Sequence, residues 1–176
     1  YMKIVENFLT LQGEGKYLGV PSYFIRTTGC NLRCECKGKD GTTKCDTPYT
    51  SWNPEKGYDL NIEKVIETLK EKKVSHIVIT GGEPTMQKDL SIIVNQCIGS
   101  DFHVTIETNG TIFRPYMIKA FMSISPKLKS SYGQDENSKE HRLHVRHNHF
   151  ILSVQSWMNT NDYQLKFVIN DEEDIY

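Results

Sequence analysis

His76-Ile77-Val78-Ile79-Thr80, followed at once by Gly81-Gly82-Glu83-Pro84, is the stretch on which the fold turns. A short apolar, β-branched run suits a strand, and the glycines and proline after it mark a turn. On its upstream side Ile62, Val65, Ile66 and Leu69 fall at i, i+3, i+4 and i+7. That spacing makes one apolar helix face, with Asp59 or Asn61 available as N-cap. Downstream, Leu90, Ile93, Val94 and Cys97 give a second helix its buried side. Further strands are expected at Tyr23–Arg26, Val104–Glu107, Met122–Ser125 and Leu165–Ile169. Strands alternating with helices imply βαβ units, an α/β class and a parallel sheet, open or curled into part of a barrel.

The 176 residues amount to one domain. Lys and Arg number 21 against 22 Asp and Glu, for a net charge of −1. That balance argues against a general nucleic-acid binder, which usually carries a basic excess. A hydrophobic content of 38% can furnish a core. Apolar runs no longer than Ile77-Val78-Ile79 leave no membrane span, and no signal peptide is expected. Five cysteines are odd in number, and four of them lie between Cys30 and Cys45. Such clustering suits a metal site in a reducing cytoplasm better than a disulfide framework.

Polar signatures follow the strands: Thr80-Gly81-Gly82-Glu83-Pro84, Glu107-Thr108-Asn109-Gly110 and Ser125-Pro126-Lys127. Each alone reads equally well as a turn. Parallel α/β folds, however, bind ligands at the carboxyl ends of their strands. Three such motifs at equivalent positions therefore predict one shared site.

In the cysteine loop, Gly29-Cys30-Asn31-Leu32-Arg33-Cys34-Glu35-Cys36 is followed by Cys45-Asp46-Thr47. Structural zinc favours four closed ligands, often as two C-x2-C pairs, and no C-x2-C occurs here. Three thiolates around a four-iron cluster leave one iron open for a small molecule, whereas four close it. A Cys-x3-Cys start with a third cysteine suits the open kind, with structural zinc or unpaired thiols as alternatives.

Cys30-x3-Cys34 together with Gly81-Gly82-Glu83-Pro84 resembles the radical S-adenosylmethionine superfamily. Within it, Leu11-Gln12-Gly13-Glu14-Gly15, Phe24-Ile25-Arg26, Cys45-Asp46-Thr47, Glu107-Thr108-Asn109-Gly110 and Ser125-Pro126-Lys127 resemble the 7-carboxy-7-deazaguanine synthase family. The matches run in order through nearly the whole chain.

The resemblance implies an abbreviated, partly open parallel (β/α) barrel of the radical SAM type, residues 1–176 forming a single domain. It implies a lyase that converts 6-carboxy-5,6,7,8-tetrahydropterin to 7-carboxy-7-deazaguanine and ammonia. S-adenosylmethionine, held on the open iron of a 4Fe–4S cluster, yields a 5′-deoxyadenosyl radical that takes a hydrogen from the pterin and is later regenerated. Carried over by position, Cys30, Cys34 and Cys45 hold the cluster, and Thr47 ligates Mg²⁺. Lys44, Cys45, Asp46, Gly82, Glu107, Asn109, Ser125, Pro126 and Lys127 fall on S-adenosylmethionine contacts. Leu11, Gln12, Gly13, Glu14, Arg26 and Thr80 fall on substrate contacts. Arg26 suits a carboxylate, because guanidinium pairs with it bidentately; Glu14 is matched to the pterin's ring N–H groups. The resemblance further implies a homodimer, a reductant such as flavodoxin or ferredoxin, a cytoplasmic setting, and no membrane or direct nucleic-acid partner.

Two departures stand out. The family's third cysteine usually follows the second by two residues, after an aromatic. Here ten residues separate Cys34 from Cys45, Lys44 replaces the aromatic, and Cys36 becomes a spare candidate for the second ligand. In addition, Leu165-Lys166-Phe167-Val168-Ile169 resembles a strand well inside relatives, which continue with a further S-adenosylmethionine loop. The C-terminal part of the family fold is therefore expected to be missing, or this member to be minimal.

His141, His144, His147 and His149, interleaved with Arg142 and Arg146, form a tempting cluster. A solvated surface segment is expected there rather than a second metal site or RNA patch. Cys97 is expected in the core, and Trp52 and Trp157 in packing or interfaces. Two other functions compete: an activating enzyme that makes a glycyl radical on a partner protein, and a zinc-binding module that contacts nucleic acid.

Overall fold

The computed structural model describes residues 2–38, 41–117, 119–133, 135–147 and 150–175. Its frame is one seven-stranded sheet. β1 (Lys3–Leu11) runs antiparallel to β2 (Pro21–Thr27). β3 (Glu35–Gly38) and β4 (Gly41–Lys44) stand apart as a hairpin, and the short helix α1 (Pro48–Ser51) follows. β5 (Tyr58–Asp59) adds to the outer edge of β1. Then come helix α2 (Ile62–Glu71), β6 (His76–Gly81), α3 (Leu90–Gly99), β7 (His103–Thr108) and β8 (Phe121–Ile124). Helices α4 (Lys139–Arg146) and α5 (Phe150–Thr160) lead to β9 (Tyr163–Leu165). The order is β5-β1-β2-β6-β7-β8-β9, parallel from β2 onward. The sheet is open, as expected for an abbreviated barrel.

The helices form for the reasons read from their spacing. Asn61 caps α2 by accepting from Lys64 N, and Ile62, Val65 and Leu69 are buried. Leu90, Ile93, Val94 and Cys97 are buried along α3. Together with Ile25, Ile77, Ile79, Val104, Ile106, Met122 and Ile124 they build the core on the outer face of the sheet. Each such aliphatic side chain gains about 1.5–3 kcal/mol on burial. Trp157 is fully buried in the same core.

Strand pleating sends alternate residues to the opposite, concave face. There a layer forms at the bottom: Ser22 Oγ lies 2.9 Å from His76 Nδ1, and His76 Nε2 lies 2.8 Å from Thr105 Oγ1. Because Ser22 Oγ donates to Val20 O, it accepts from Nδ1, and Nε2 accepts the Thr105 hydroxyl. The β1–β2 connection plugs this floor with Tyr17, whose ring lies 4.5–5.0 Å from those of His76, His103 and Phe121. Gln12 N donates to Val20 O and Gly19 N to Gln12 O, closing the plug.

Several expectations shift. β1 and β5 are antiparallel additions that helix–strand alternation does not announce. Residues 35–38 and 41–44, expected as loop, form the β3–β4 hairpin. β8 begins and ends one residue earlier than expected. The final strand is Tyr163–Leu165, not Leu165–Ile169. β8 ends at Ile124 before Ser125-Pro126; the Ile124 carbonyl accepts one last bond from Lys166 N, and Pro126 has no N–H to continue the ladder. Phe167, Val168 and Ile169 are accordingly exposed. No helix follows β7; residues 109–117, 119 and 120 cross to β8 as turns and loop.

Candidate functional site

At the carboxyl ends of β2, β6, β7 and β8 a cavity of about 680 Å³ opens over the Tyr17 plug. Its construction starts with two glycines. Gly81 has φ +129°, a region that suits only glycine, and a Cβ there would stand 2.3 Å from Thr27 O. A Cβ on Gly82 would stand 2.0 Å from Gly29 O. Gly82 thus lets the end of β6 press against the cysteine loop, where Glu83 N donates to Gly29 O at 2.8 Å.

Glu83 is 0% exposed. Its Oε1 accepts from Thr85 N (3.1 Å), Thr85 Oγ1 (2.6 Å) and Thr108 Oγ1 (2.6 Å), and its Oε2 from Asn109 N (2.7 Å). One buried carboxylate therefore ties the loop after β6 to the loop after β7. Burial is tolerated because four donors replace the lost water. Asn109 Nδ2 in turn donates to Asn31 Oδ1, and Asn31 Nδ2 to Thr111 Oγ1, which joins the cysteine loop to the same rim. Sequence reasoning singled out the glycine motif but not Glu83 or Asn31 as its clasps; a carboxylate directly after two glycines was the available signal.

The hairpin explains the long spacing between the second and third cysteines. Cys34 directly precedes β3 and Cys45 directly follows β4, and Cys45 N donates to Cys34 O at 3.0 Å. The two strands thus leave from and return to one point. Cys30, Cys34 and Cys45 line the cavity. Cys36 lies inside β3, opposite Thr43. Burial and the nearby Glu83 carboxylate push the Cys30 thiol up to about 12, so a thiolate there needs a bound cation. Among the described residues no three His, Cys, Asp or Glu side chains close on a point that holds one metal ion. Three cysteines lining one cavity could hold a polynuclear cluster.

The remaining sequence-nominated residues converge on the same cavity. Gln12, Gly13, Glu14, Arg26, Thr80, Lys44, Asp46, Thr47, Gly82, Glu107, Asn109, Ser125, Pro126 and Lys127 all line it. Leu11 does not: it is 59% exposed at the end of β1. Gln12 Nε2 donates to Glu107 Oε1 at 3.2 Å, and Lys127 Nζ to Ser125 Oγ at 3.0 Å. Glu14 pairs with Lys166. Arg26 Nε donates to Glu6 Oε1 at 2.8 Å. Thr47 is the N-cap residue of α1. Lys44 lies with its Nζ 4.8 Å from the Trp52 ring centroid. Phe8 and Phe24, stacked at 5.5 Å, supply an apolar wall that sequence reasoning missed. They sit on neighbouring strands whose pairing was not foreseen.

The histidine segment is not uniformly solvated. His144 is buried against the Tyr132 ring at 4.7 Å, and burial pushes it down to about 4. Ser131 and Tyr132 are buried too. On α4, His144 is brought to the Arg33 backbone of the cysteine loop, and burial raises the Tyr132 hydroxyl above its usual pKa. His149 lies outside the described residues.

The radical SAM superfamily profile matches residues 24–128. A 7-carboxy-7-deazaguanine synthase of Rhodopirellula baltica is 36% identical over 98% of this chain and 64% of its own. One from Thermoplasma acidophilum is 31% identical over 99% of this chain and 73% of its own. The chain thus spans about two thirds of the length of the curated relatives it matches. The crystal structure of QueE from Escherichia coli shares the fold, with a TM-score of 0.61 at 24% identity over 99% of this chain and 86% of that one. No helix among the described residues is long and apolar enough to cross a membrane. Fold, glycine clasp, converging thiols and sequence likeness agree: the chain belongs to the radical SAM superfamily and, within it, to the 7-carboxy-7-deazaguanine synthase family.

Proposed function

We propose that this chain converts 6-carboxy-5,6,7,8-tetrahydropterin to 7-carboxy-7-deazaguanine with release of ammonia. The observation that carries this is the convergence of three cysteines, three strand-end motifs and Arg26 on one cavity of about 680 Å³. That volume suits a small-molecule ligand together with its cofactor, and a protein substrate of a glycyl-radical activase has no need of Gln12 and Glu14 in the cavity lining. A 4Fe–4S cluster would be held by Cys30, Cys34 and Cys45 and, with S-adenosylmethionine bound, would supply the one-electron chemistry.

The chain's own residues bind, orient and exclude water. Arg26 offers its guanidinium to the substrate carboxylate. Glu14 accepts from the pterin's ring N–H groups, and Gln12, Gly13 and Thr80 complete that side. Asp46, Gly82, Glu107, Asn109, Ser125 and Lys127 hold S-adenosylmethionine. Thr47 would offer its hydroxyl oxygen to Mg²⁺. We assign residues 1–176 to one radical SAM domain, which works as a homodimer in a reducing, cytoplasmic setting with flavodoxin or ferredoxin as electron donor.

The test is an anaerobic incubation of the iron–sulfur-reconstituted protein with S-adenosylmethionine, Mg²⁺, dithionite and the carboxytetrahydropterin. Formation of 7-carboxy-7-deazaguanine and ammonia, with S-adenosylmethionine undiminished, is expected. Cleavage of S-adenosylmethionine without deazaguanine product overturns the assignment.

A further inference from the structure

We propose that Glu6 is a positioning residue that aims the Arg26 guanidinium at the substrate carboxylate. This rests on the function above and deepens it. Glu6 is not part of the cavity lining, whereas Arg26 is. A guanidinium can grip a carboxylate from its side, through Nε and one Nη, or from its end, through both Nη atoms. Glu6 Oε1 takes Nε at 2.8 Å, which uses up the side approach. Nη1 and Nη2, without a hydrogen-bond partner among the described residues, are left for the cavity. The carboxylate is itself held: Tyr49 Oη donates to the same Oε1 at 2.9 Å.

A local irregularity in β1 makes this contact possible. Ile4 pairs with Thr27 and Glu6 with Arg26, so two residues of β1 are set against one step of β2 at a bulge. Ile4 lies in the core on the outer face. Two residues further on, a regular strand would place Glu6 on that same face. The extra residue re-phases the strand and turns Glu6 to the concave side beside Arg26, the kind of re-aiming bulges perform near sites. The Glu6 and Arg26 side chains are 42% and 19% exposed. An ion pair this wet adds little to stability, so its effect is expected on aim.

The sign of the electrostatics sharpens the test. Removing the Glu6 charge makes the cavity more positive, which by itself strengthens anion binding. A loss of affinity must then come from lost orientation. In the iron–sulfur-loaded protein with S-adenosylmethionine, titration calorimetry compares the carboxytetrahydropterin with tetrahydropterin, which lacks the carboxylate. Glu6→Ala is expected to weaken the carboxylated ligand about tenfold, the scale of one charge-assisted hydrogen bond. It leaves tetrahydropterin unchanged. Glu6→Gln, whose amide oxygen still accepts from Nε, retains most of the affinity. Glu6→Ala in the Arg26→Ala background adds no further loss. If Glu6→Ala fails to fold, Glu6→Thr, a strand former too short to reach Nε, must show the same selective loss. Equal losses for both ligands, additive losses in the double variant, or unchanged or tighter binding of the carboxylated ligand overturn the proposal. Arg26→Ala that treats both ligands alike removes the carboxylate assignment and Glu6's role with it. Selectivity in Arg26→Ala without any in Glu6→Ala overturns the role of Glu6 alone.

Discussion

Replacing Glu83 by alanine should cost this chain about 3 kcal/mol, and the four bonds on its carboxylate show why. Two of the donors, the Thr85 and Thr108 hydroxyls, can rotate to other acceptors or to water. The other two, Thr85 N and Asn109 N, are backbone amides fixed by their loops. Each orphaned buried amide costs about 1–3 kcal/mol, so the pair costs about 2–6 kcal/mol. Water entering the vacated space and relief of the buried charge lower the upper end. Glu83→Gln should cost about 1–3 kcal/mol, because its amide oxygen still serves the donors at Oε1 while its NH2 faces Asn109 N. Urea unfolding monitored by circular dichroism reads both. Since Asn109 N is the released group, affinity for S-adenosylmethionine should fall more than affinity for the pterin in both variants. A Glu83→Gln protein as stable as the parent, or as unstable as Glu83→Ala, would refute the fixed-amide reasoning.

Alanine at Cys30, Cys34 or Cys45 should abolish the brown absorption after anaerobic reconstitution, while Cys36→Ala keeps it; the reverse at Cys34 and Cys36 would reassign the second ligand. Stability should fall as pH drops. Burial and then the neighbouring His103 depress His76 from 6.5 to about 4, and burial does the same to His144. The unfolded chain therefore binds more protons between these values, and stability present above pH 6.5 is lost as pH falls toward about 4. His76→Gln should flatten that slope in urea titrations from pH 4 to 7. Gly82→Ala should cost at least about 1–3 kcal/mol through its clash with Gly29 O. Gly13→Ala, with nothing within 4 Å of its Cβ, should leave the urea midpoint unchanged.

Much of the fold was legible because its signals are local. The 3.6-residue spacing of Ile62 to Leu69 and of Leu90 to Cys97, and the β-branched run at Ile77–Thr80, each specify an element through residues close in sequence. Polar motifs directly after strands were readable as one site for a topological reason: parallel strands bring their carboxyl ends to one rim. β1 was hidden because its alternation is blurred by the bulge, and its pairing with β2 is a property of two segments together. The last strand was misplaced because Phe167, Val168 and Ile169 have the intrinsic preference, but β8 ends at Ile124 and Pro126 just beyond it has no N–H to continue the ladder.

The sequence by itself determined the α/β class, the parallel core strands, the family and the polar strand-end motifs that line the cavity, since each rests on residue type and short-range spacing. Only the tertiary structure decided that Cys34 and Cys45 meet across a hairpin base and that Glu83 clasps two loops. It alone turned Glu6 toward Arg26 and Glu14 toward Lys166, which lies 152 positions away. Such contacts depend on register and on where a strand ends, and a shift of one residue changes the face a side chain occupies.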